Sequence, residues 1–273
     1  MSFFSRLAKD SAVYGLGEIF SKLISFISII IYTRIFSVSE FGEIEILVTF
    51  GSLITNISNL GMDSTLSRFY FEKDSRQFDY RRKLIANILQ IRILSTIFLN
   101  IIFAFVYFFL LNYKLISPVN QLSLYLLLAS LVFTQTTTLC SQVFRLAYKP
   151  WNFIFYNFFI AITNLLFVVL FVLTFKLNVN GYFISIFLSS FISSILALSI
   201  LKSKYILSFD VIKKYWDLLK FGIPFVPSYV FLYIMNTSDR WFIFHYHGLI
   251  STGIFSVGAK VIMLITSVVT IFR

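Results

Sequence analysis

Three basic side chains lie inside long apolar stretches of the sequence, accompanied by one acidic side chain. Lys22, Arg92 and Lys260 are the basic residues, and Glu18 is the acidic one. A charge inside a bilayer is costly, so such groups pair with each other or line a water-filled cavity. These four groups carry a net positive charge, which suits an anionic ligand. Lysine neutralises phosphate oxygens as a point charge and arginine as a bidentate fork, so we expect the three cations to bind a diphosphate.

Each of these charged residues also has a structural interpretation. Glu18 and Lys22 are four positions apart on one helical face, so they can form a salt bridge, and Glu18 is alternatively a coupling residue. Arg92 and Lys260 have no acid at helical spacing in their own segments. The structural alternative for them is to extend toward the membrane interface. Both interpretations stay open on the sequence alone.

Polar residues form stripes along the predicted helices, because steps of three and four residues keep them on one helical face. The stripe of the second span runs from Glu45 through Asn56 and Asn59 to Asp63. We assign the two asparagines to the substrate cavity and Asp63 to an ion pair or to coupling. For the hydroxyl residues alone, helix packing is the favoured interpretation. The other stripe members are Ser11, Gly15, Ser25 and Tyr32 in the first span, Thr49 and Ser52 in the second, Ser130, Thr134, Thr137, Ser141 and Arg145 in the fourth, and Thr252 and Ser256 in the eighth.

The composition requires lipid as the solvent. Of the 273 residues, 58% are hydrophobic, 19% are aromatic and only 13% are charged. A soluble domain of this length could not bury so much apolar surface. Apolar runs of about 20 residues, the length that crosses a bilayer core, recur along the chain. We predict an all-α integral membrane protein with spans at 11–35, 41–62, 83–111, 119–145, 152–176, 180–202, 219–237 and 250–271.

The basic residues predict the orientation of these spans. Of the 23 Lys and Arg residues, three lie within spans and 16 lie at the ends that would face inward, whereas the outward ends hold only Arg34, Lys114, Lys176 and Arg240. By the positive-inside rule, the N-terminus is cytoplasmic and the protein lies in the cytoplasmic membrane. The loops 63–82 and 203–218 are then cytoplasmic, amphipathic connectors in contact with membrane lipid. Because the basic residues are dispersed between apolar runs, the net charge of +11 does not predict nucleic-acid binding.

The segment from Lys220 to Lys260 predicts a broken helix. Pro224 and Pro227 interrupt an apolar helix near its start, because proline removes a hydrogen bond and clashes with the preceding turn. We interpret the two prolines as a hinge, since such a break survives in a bilayer only where protein or a water-filled cavity satisfies the freed carbonyl groups. Further on, Asp239 and Arg240 are predicted to form the turn between the seventh and eighth spans.

The spans group into three predicted regions. Residues 1–202 form a six-helix transmembrane lobe, 203–218 form a cytoplasmic amphipathic connector, and 219–273 hold the first two helices of a second lobe. A weak internal repeat supports this division: TRIFSVSEFGEIEI follows the first span, and SDRWF followed by LISTGIFSVG follows the seventh. Since the second lobe would be incomplete, we expect the sequence to be a fragment of a longer protein or a truncated product.

Groups for enzyme chemistry are scarce, and we predict that the protein is not an enzyme. His245 and His247 lie in a predicted outer loop with only Asp239 nearby, which does not complete a metal-ligand set. Cys140, the single cysteine, is expected in the helical core. No HExxH or GxSxG motif occurs in the sequence. We therefore expect neither a metal nor another cofactor.

The order GxPxxP, apolar helix, DR and GxxSxGxK occurs between Lys220 and Lys260. Further upstream, the first helix carries GxGExxxK, IYTRIFSVSEFGEIEI follows it, and NLGMDSTLSRFYFE enters the first connector. In these motifs the chain resembles polysaccharide (O-antigen, Wzx-type) flippases of the MOP exporter superfamily. The resemblance implies a MATE-like bundle of two six-helix lobes that face a cavity open alternately to each side. Cationic residues on the first and eighth helices are a feature of its lipid-flipping branch, and Lys22 and Lys260 match that feature.

The implied cargo is a polyprenyl-diphosphate-linked oligosaccharide, carried to the outer leaflet. Implied partners are the polysaccharide polymerase and glycosyltransferases of the same pathway, and a proton or sodium gradient would drive transport. Two alternatives stay open. A multidrug or cation exporter of the same superfamily would require acidic, aromatic cavity walls, against which the positive excess argues. A membrane-embedded polymerase or glycosyltransferase would require a substantial outer loop, and the predicted outer loops are short.

Overall fold

The computed structural model describes residues 27–72, 78–113, 120–201 and 212–271. Every regular element within these ranges is a helix, which confirms the predicted all-α class. In chain order the helices are α1 (27–35), α2 (Val38–Ser58), α3 (Met62–Phe69), α4 (Phe78–Asn112), α5 (Gln121–Leu146), α6 (Pro150–Val168, continued by a π-helix at Val169–Thr174), α7 (Asn178–Leu201), α8 (Ile212–Gly222) and α9 (Val226–Ile271). The larger part of the predicted first span, including Glu18 and Lys22, lies outside the described residues.

The helices have the length and apolarity that a bilayer demands. In the described ranges, five helical segments could cross a membrane, or up to six if α2 and α3 together form one bent span. The α2–α3 bend is 44°. The first four of these segments, from Tyr80–Phe109 to Asn178–Leu201, follow predicted spans closely because about 20 apolar residues match the thickness of the hydrocarbon core. The fifth, Tyr215–Ile262, covers the predicted span 219–237 and part of 250–271. The predicted multi-pass membrane bundle is confirmed at this level.

Helix α9 reverses direction at Gly248. Over its 46 residues only Gly248 departs from helical backbone angles, with φ 74° and ψ −171°. Arg240 and Lys260 are 20 positions apart, which is about 30 Å along an uninterrupted helix. Both nevertheless contact the carboxylate of Glu45. The chain therefore folds back between them, so α9 comprises two helices, corresponding to the predicted seventh and eighth spans.

The predicted turn at Asp239 and Arg240 is wrong in position. Both residues are helical, and the helix continues to Gly248, where glycine adopts a positive φ without a steric penalty. His245 and His247 therefore lie in a helix rather than in a loop. Arg240, assigned from the sequence to an outer end, is 5% exposed. The sequence pattern detected a break but placed it at the charged residues instead of at the glycine.

A second helix break coincides with the two prolines. Ile223–Phe225 form a single 3₁₀ turn between α8 and α9, with Pro224 inside it. This turn packs against the break between α2 and α3. A Cβ on Gly61, whose φ is +72°, would lie 2.0 Å from the carbonyl oxygen of Gly222. Two interrupted backbones thus meet without side chains between them, which only glycine permits.

The chain divides into two compact units, each assembled from separate stretches. The first unit comprises Met1–Leu47, Ser141–Ser189 and Asp239–Arg273. The second comprises Val48–Cys140 and Ser190–Ser238. The predicted division into 1–202, 203–218 and 219–273 remains a prediction.

Candidate functional site

The first unit contains a buried carboxylate that two cations share. Glu45 of α2 is 4% exposed, and its Oε1 accepts a hydrogen bond from Lys260 Nζ. The Arg240 Nε lies 3.7 Å from Glu45 Oε2. One carboxylate therefore faces two positive charges, and the group as a whole carries an excess of one positive charge. We call Glu45, Arg240 and Lys260 the Glu45 cluster.

Close backbone contact between two helices builds this cluster. A Cβ on Gly42 would lie 2.1 Å from the carbonyl oxygen of Leu249, and one on Gly253 would lie 2.3 Å from the carbonyl oxygen of Val38. Helix α2 therefore crosses the part of α9 after Gly248 with no side chain between the backbones. This approach brings the lysine within reach of a carboxylate on the neighbouring helix.

The two cations of the cluster differ in exposure. The Arg240 side chain is only 7% exposed, whereas that of Lys260 is 27% exposed. The Lys260 ammonium also lies 5.1 Å from the centre of the Phe41 ring, a favourable cation–π position. Lysine has three N–H donors, and Glu45 occupies one of them. Lys260 is thus the member of the cluster that an incoming ligand can contact.

A polar chain in the same unit explains part of the predicted stripes. The Tyr32 hydroxyl donates to Asn164 Oδ1 at 3.3 Å, and Asn164 Nδ2 donates to Ser189 Oγ at 3.2 Å. The Tyr32 ring also packs edge-on against Tyr182, with ring centres 5.5 Å apart. These polar groups satisfy one another between helices, as helix packing in membranes requires. Tyr32 therefore serves packing, which is the interpretation that the sequence favoured for the hydroxyl residues of the stripes.

The second unit contains a different ion pair. Arg92 of α4 is 1% exposed, and its guanidinium donates to Asp63 Oδ1 at the start of α3. Asn59 Nδ2 donates to the other carboxylate oxygen at 2.5 Å, and its own Oδ1 accepts from the Asp63 backbone N–H at 3.2 Å. Both oxygens of Asp63 are therefore engaged within the protein. Here one cation meets one acid, and the pair is neutral.

Further hydrogen bonds fix the surroundings of this pair. Gln135, 1% exposed, donates through Nε2 to Ser58 Oγ at 2.7 Å. The Ser95 hydroxyl donates to the Ser58 carbonyl oxygen. Asn56 Nδ2 donates to the carbonyl oxygen of Ser52, one turn earlier in the same helix, at 2.8 Å. The end of α2 is thus held by side chains of α4 and α5.

The structure gives Lys260 and Arg92 acidic partners that the sequence count omitted. Both acids belong to the polar stripe of the second predicted span, Glu45 for Lys260 and Asp63 for Arg92. Helical spacing relates only residues of the same segment, whereas these acidic partners come from other helices. Arg240 was missed as a site residue for the same reason. A signal was available, because Glu45 is an intramembrane acid with no base three or four positions away.

No group of three or more His, Cys, Asp or Glu side chains that could hold a metal ion occurs in the ranges that the structure describes. The Glu45 cluster can attract an anion through its excess positive charge. The Arg92–Asp63 pair has no such excess.

Apolar helices of spanning length, with ion pairs buried among them, define a multi-pass α-helical membrane protein. The family described as polysaccharide biosynthesis protein matches residues 7–272. The chain therefore belongs to that family.

Comparison with individual proteins agrees with this assignment. The chain is similar to the Lsg locus putative protein 1 of Haemophilus influenzae, with 22% identity over 266 residues, 96% of this chain and 62% of that protein. It also resembles a solved structure named protein A, with a TM-score of 0.67 and 16% identity over 97% of this chain and 62% of the other. This second likeness shows the fold alone. The chain thus spans 62% of the length of each.

Proposed function

We propose that the protein is a flippase that moves a polyprenyl-diphosphate-linked oligosaccharide, an O-antigen, capsule or exopolysaccharide unit, across the cytoplasmic membrane by alternating access. The observation that carries the proposal is the Glu45 cluster, in which two cations share one buried carboxylate. Membership of the polysaccharide biosynthesis family supports the class of cargo. A diphosphate offers the negative charge that balances the excess of this cluster.

The polar head of such a cargo is the part that must cross the membrane. Lys260 would contact the diphosphate, while the polyprenyl tail stays in lipid beside outward-facing apolar side chains. Helix α6 of the same unit offers such a face, since Phe155 and Leu166 are each more than 60% exposed. A net positive cluster also disfavours the alternative of a cation exporter, because like charges repel.

Alternating access requires a segment that bends. The 3₁₀ turn at Ile223–Phe225 is a candidate hinge, because Pro224 and Pro227 prevent a continuous hydrogen-bond ladder there. A proton or sodium gradient would supply the energy, with Glu18 or Asp63 as coupling residue. The polysaccharide polymerase and the glycosyltransferases of the pathway would act after and before this step.

Deleting the gene from its source organism is expected to abolish the corresponding surface polysaccharide. Lipid-linked oligosaccharide should then accumulate, because its synthesis on the cytoplasmic leaflet continues while its export stops. Surface carbohydrate and extracted lipid-linked intermediates would be measured in the deletion strain and after restoration of the gene on a plasmid. Unchanged surface polysaccharide in the deletion strain would refute the proposed role.

Two loop positions test the proposed orientation with a cytoplasmic N-terminus. Ser37 lies between α1 and α2, and Tyr148 lies between α5 and α6, where it is 70% exposed. In a Cys140→Ser background, Ser37→Cys should react with a membrane-impermeant thiol reagent in intact cells. Tyr148→Cys should react only after the cells are opened. The reverse labelling pattern would show that the protein has the opposite orientation.

A further inference from the structure

We infer that Glu45 is an internal counter-ion that the anionic ligand displaces from Lys260. The Glu45 carboxylate accepts a hydrogen bond from Lys260 Nζ, as a phosphate oxygen of the ligand would. Two N–H donors of Lys260 remain, but a phosphate beside the same ammonium would meet the like charge of the carboxylate, so ligand and carboxylate compete for one positive charge. The inference rests on the proposed function for the identity of the ligand, a diphosphate on a polyprenyl lipid.

The second cation makes this displacement energetically feasible. If Lys260 turned to a ligand and Glu45 had no other partner, a buried carboxylate would lose its counter-ion, which is strongly unfavourable. Arg240 prevents that loss because its Nε lies 3.7 Å from the other carboxylate oxygen. The Glu45–Arg240 pair is neutral by itself. Lys260 can then offer its full positive charge to the ligand.

The exposures match this division of roles. Arg240 and Glu45 are 7% and 4% exposed, as expected of a permanent pair, and Lys260 is 27% exposed. The Phe41 ring, 5.1 Å from the ammonium, offers a favourable contact that does not depend on the Glu45 charge. Lys260 is thus the accessible contact of the cluster, and Glu45 sets the affinity with which it binds anions.

A carboxylate that competes with the ligand for Lys260 also favours transport. A site with free cations would bind diphosphate tightly in the starting state, and binding that is equally tight throughout the cycle does not speed the slow step. Glu45 weakens binding and returns to Lys260 when the ligand leaves. Removal of its charge should therefore strengthen binding.

Equilibrium binding of radiolabelled inorganic pyrophosphate to the purified protein in detergent tests this inference. Glu45→Gln should bind pyrophosphate at least about tenfold more tightly than the wild type, because a charged hydrogen bond of competing strength is removed. Lys260→Gln should weaken binding by a similar factor. Glu43→Gln, the same change two positions earlier in α2, serves as the matched control and should bind like the wild type.

A second variant with balanced charge provides a test in case the single variant Glu45→Gln does not fold. Glu45→Gln combined with Arg240→Gln keeps the net charge of the cluster and leaves Lys260 without a competing carboxylate, so it too should bind more tightly than the wild type. Unchanged or weaker binding in both folded Glu45 variants, with weaker binding in Lys260→Gln, would overturn the counter-ion role and leave the anion site intact.

A competition experiment distinguishes free pyrophosphate from a diphosphate carried on a polyprenyl lipid. Polyprenyl diphosphate in the same micelles should displace pyrophosphate from the wild type and from Glu45→Gln. Tighter pyrophosphate binding by Glu45→Gln without displacement by the lipid would support the counter-ion role but contradict the proposed cargo. If no form of the protein, including the wild type, bound pyrophosphate, both the counter-ion role of Glu45 and the proposed diphosphate cargo would be wrong.

Discussion

Replacing Asp63 by alanine is expected to destabilise the protein by about 3 kcal/mol, the lower end of the range of about 3–5 kcal/mol for broken buried ion pairs. Arg92, 1% exposed, would lose the Asp63 carboxylate while its guanidinium stayed buried. The lower end applies because the Asp63 side chain is itself 41% exposed, so water weakens the interaction. The Asn59 Nδ2 group would lose its carboxylate acceptor as well. The measurement is the thermal unfolding midpoint of the purified protein in detergent, together with its amount in membranes.

Asp217→Ala is the matched control, since this carboxylate is exposed on α8 and its removal should change stability little. A double variant, Asp63→Asn with Arg92→Leu, should recover much of the loss, because removing both charges is often neutral in a buried site. An Asp63→Ala protein as stable as the wild type would show that the pair contributes nothing to the fold.

Lys260→Ala is expected to abolish most of the surface polysaccharide while leaving the protein in the membrane. Loss of one charge-assisted contact to a diphosphate corresponds to about 10–100-fold weaker interaction. Folding should survive because Glu45 keeps Arg240 at 3.7 Å. Complementation of the deletion strain, with protein levels measured in isolated membranes, gives the result.

Two further variants define the cause of that loss. Lys260→Arg should retain part of the activity, since the charge remains although the geometry changes. Lys220→Ala removes an equal charge from an exposed position on α8 and should behave as the wild type. Full polysaccharide production by a stable Lys260→Ala protein would mean that this lysine has only a structural role.

The sequence predicted the helices because hydrophobic length is a local property. Each of α4, α5, α6 and α7 lies within a few residues of a predicted span, since the bilayer fixes the number of apolar residues that cross it. The family resemblance was likewise available from motifs spread along most of the chain. The match of residues 7–272 to the polysaccharide biosynthesis protein family agrees with that resemblance.

The partners of the charged residues could not be predicted in the same way. Glu45 meets Lys260 because Gly42 and Gly253 let two helix backbones touch, and that contact joins segments more than 200 positions apart in the chain. Periodicity describes one face of one helix and carries no information about the neighbouring helix. The position of the reversal at Gly248 was mispredicted for a related reason. Adjacent charged residues such as Asp239 and Arg240 are typical of a loop, but Arg240 is buried in a helix, where its partner Glu45 is distant in sequence.

The most direct test of the account is transport of the lipid itself. The protein expressed from its natural gene would be reconstituted into vesicles with a fluorescent polyprenyl-diphosphate-linked oligosaccharide, and a membrane-impermeant quencher would report the fraction in the outer leaflet over time. Wild-type protein is expected to move the lipid between leaflets, and Lys260→Ala is expected to move it far more slowly. No movement by the wild type, or equal movement by the two proteins, would contradict this expectation.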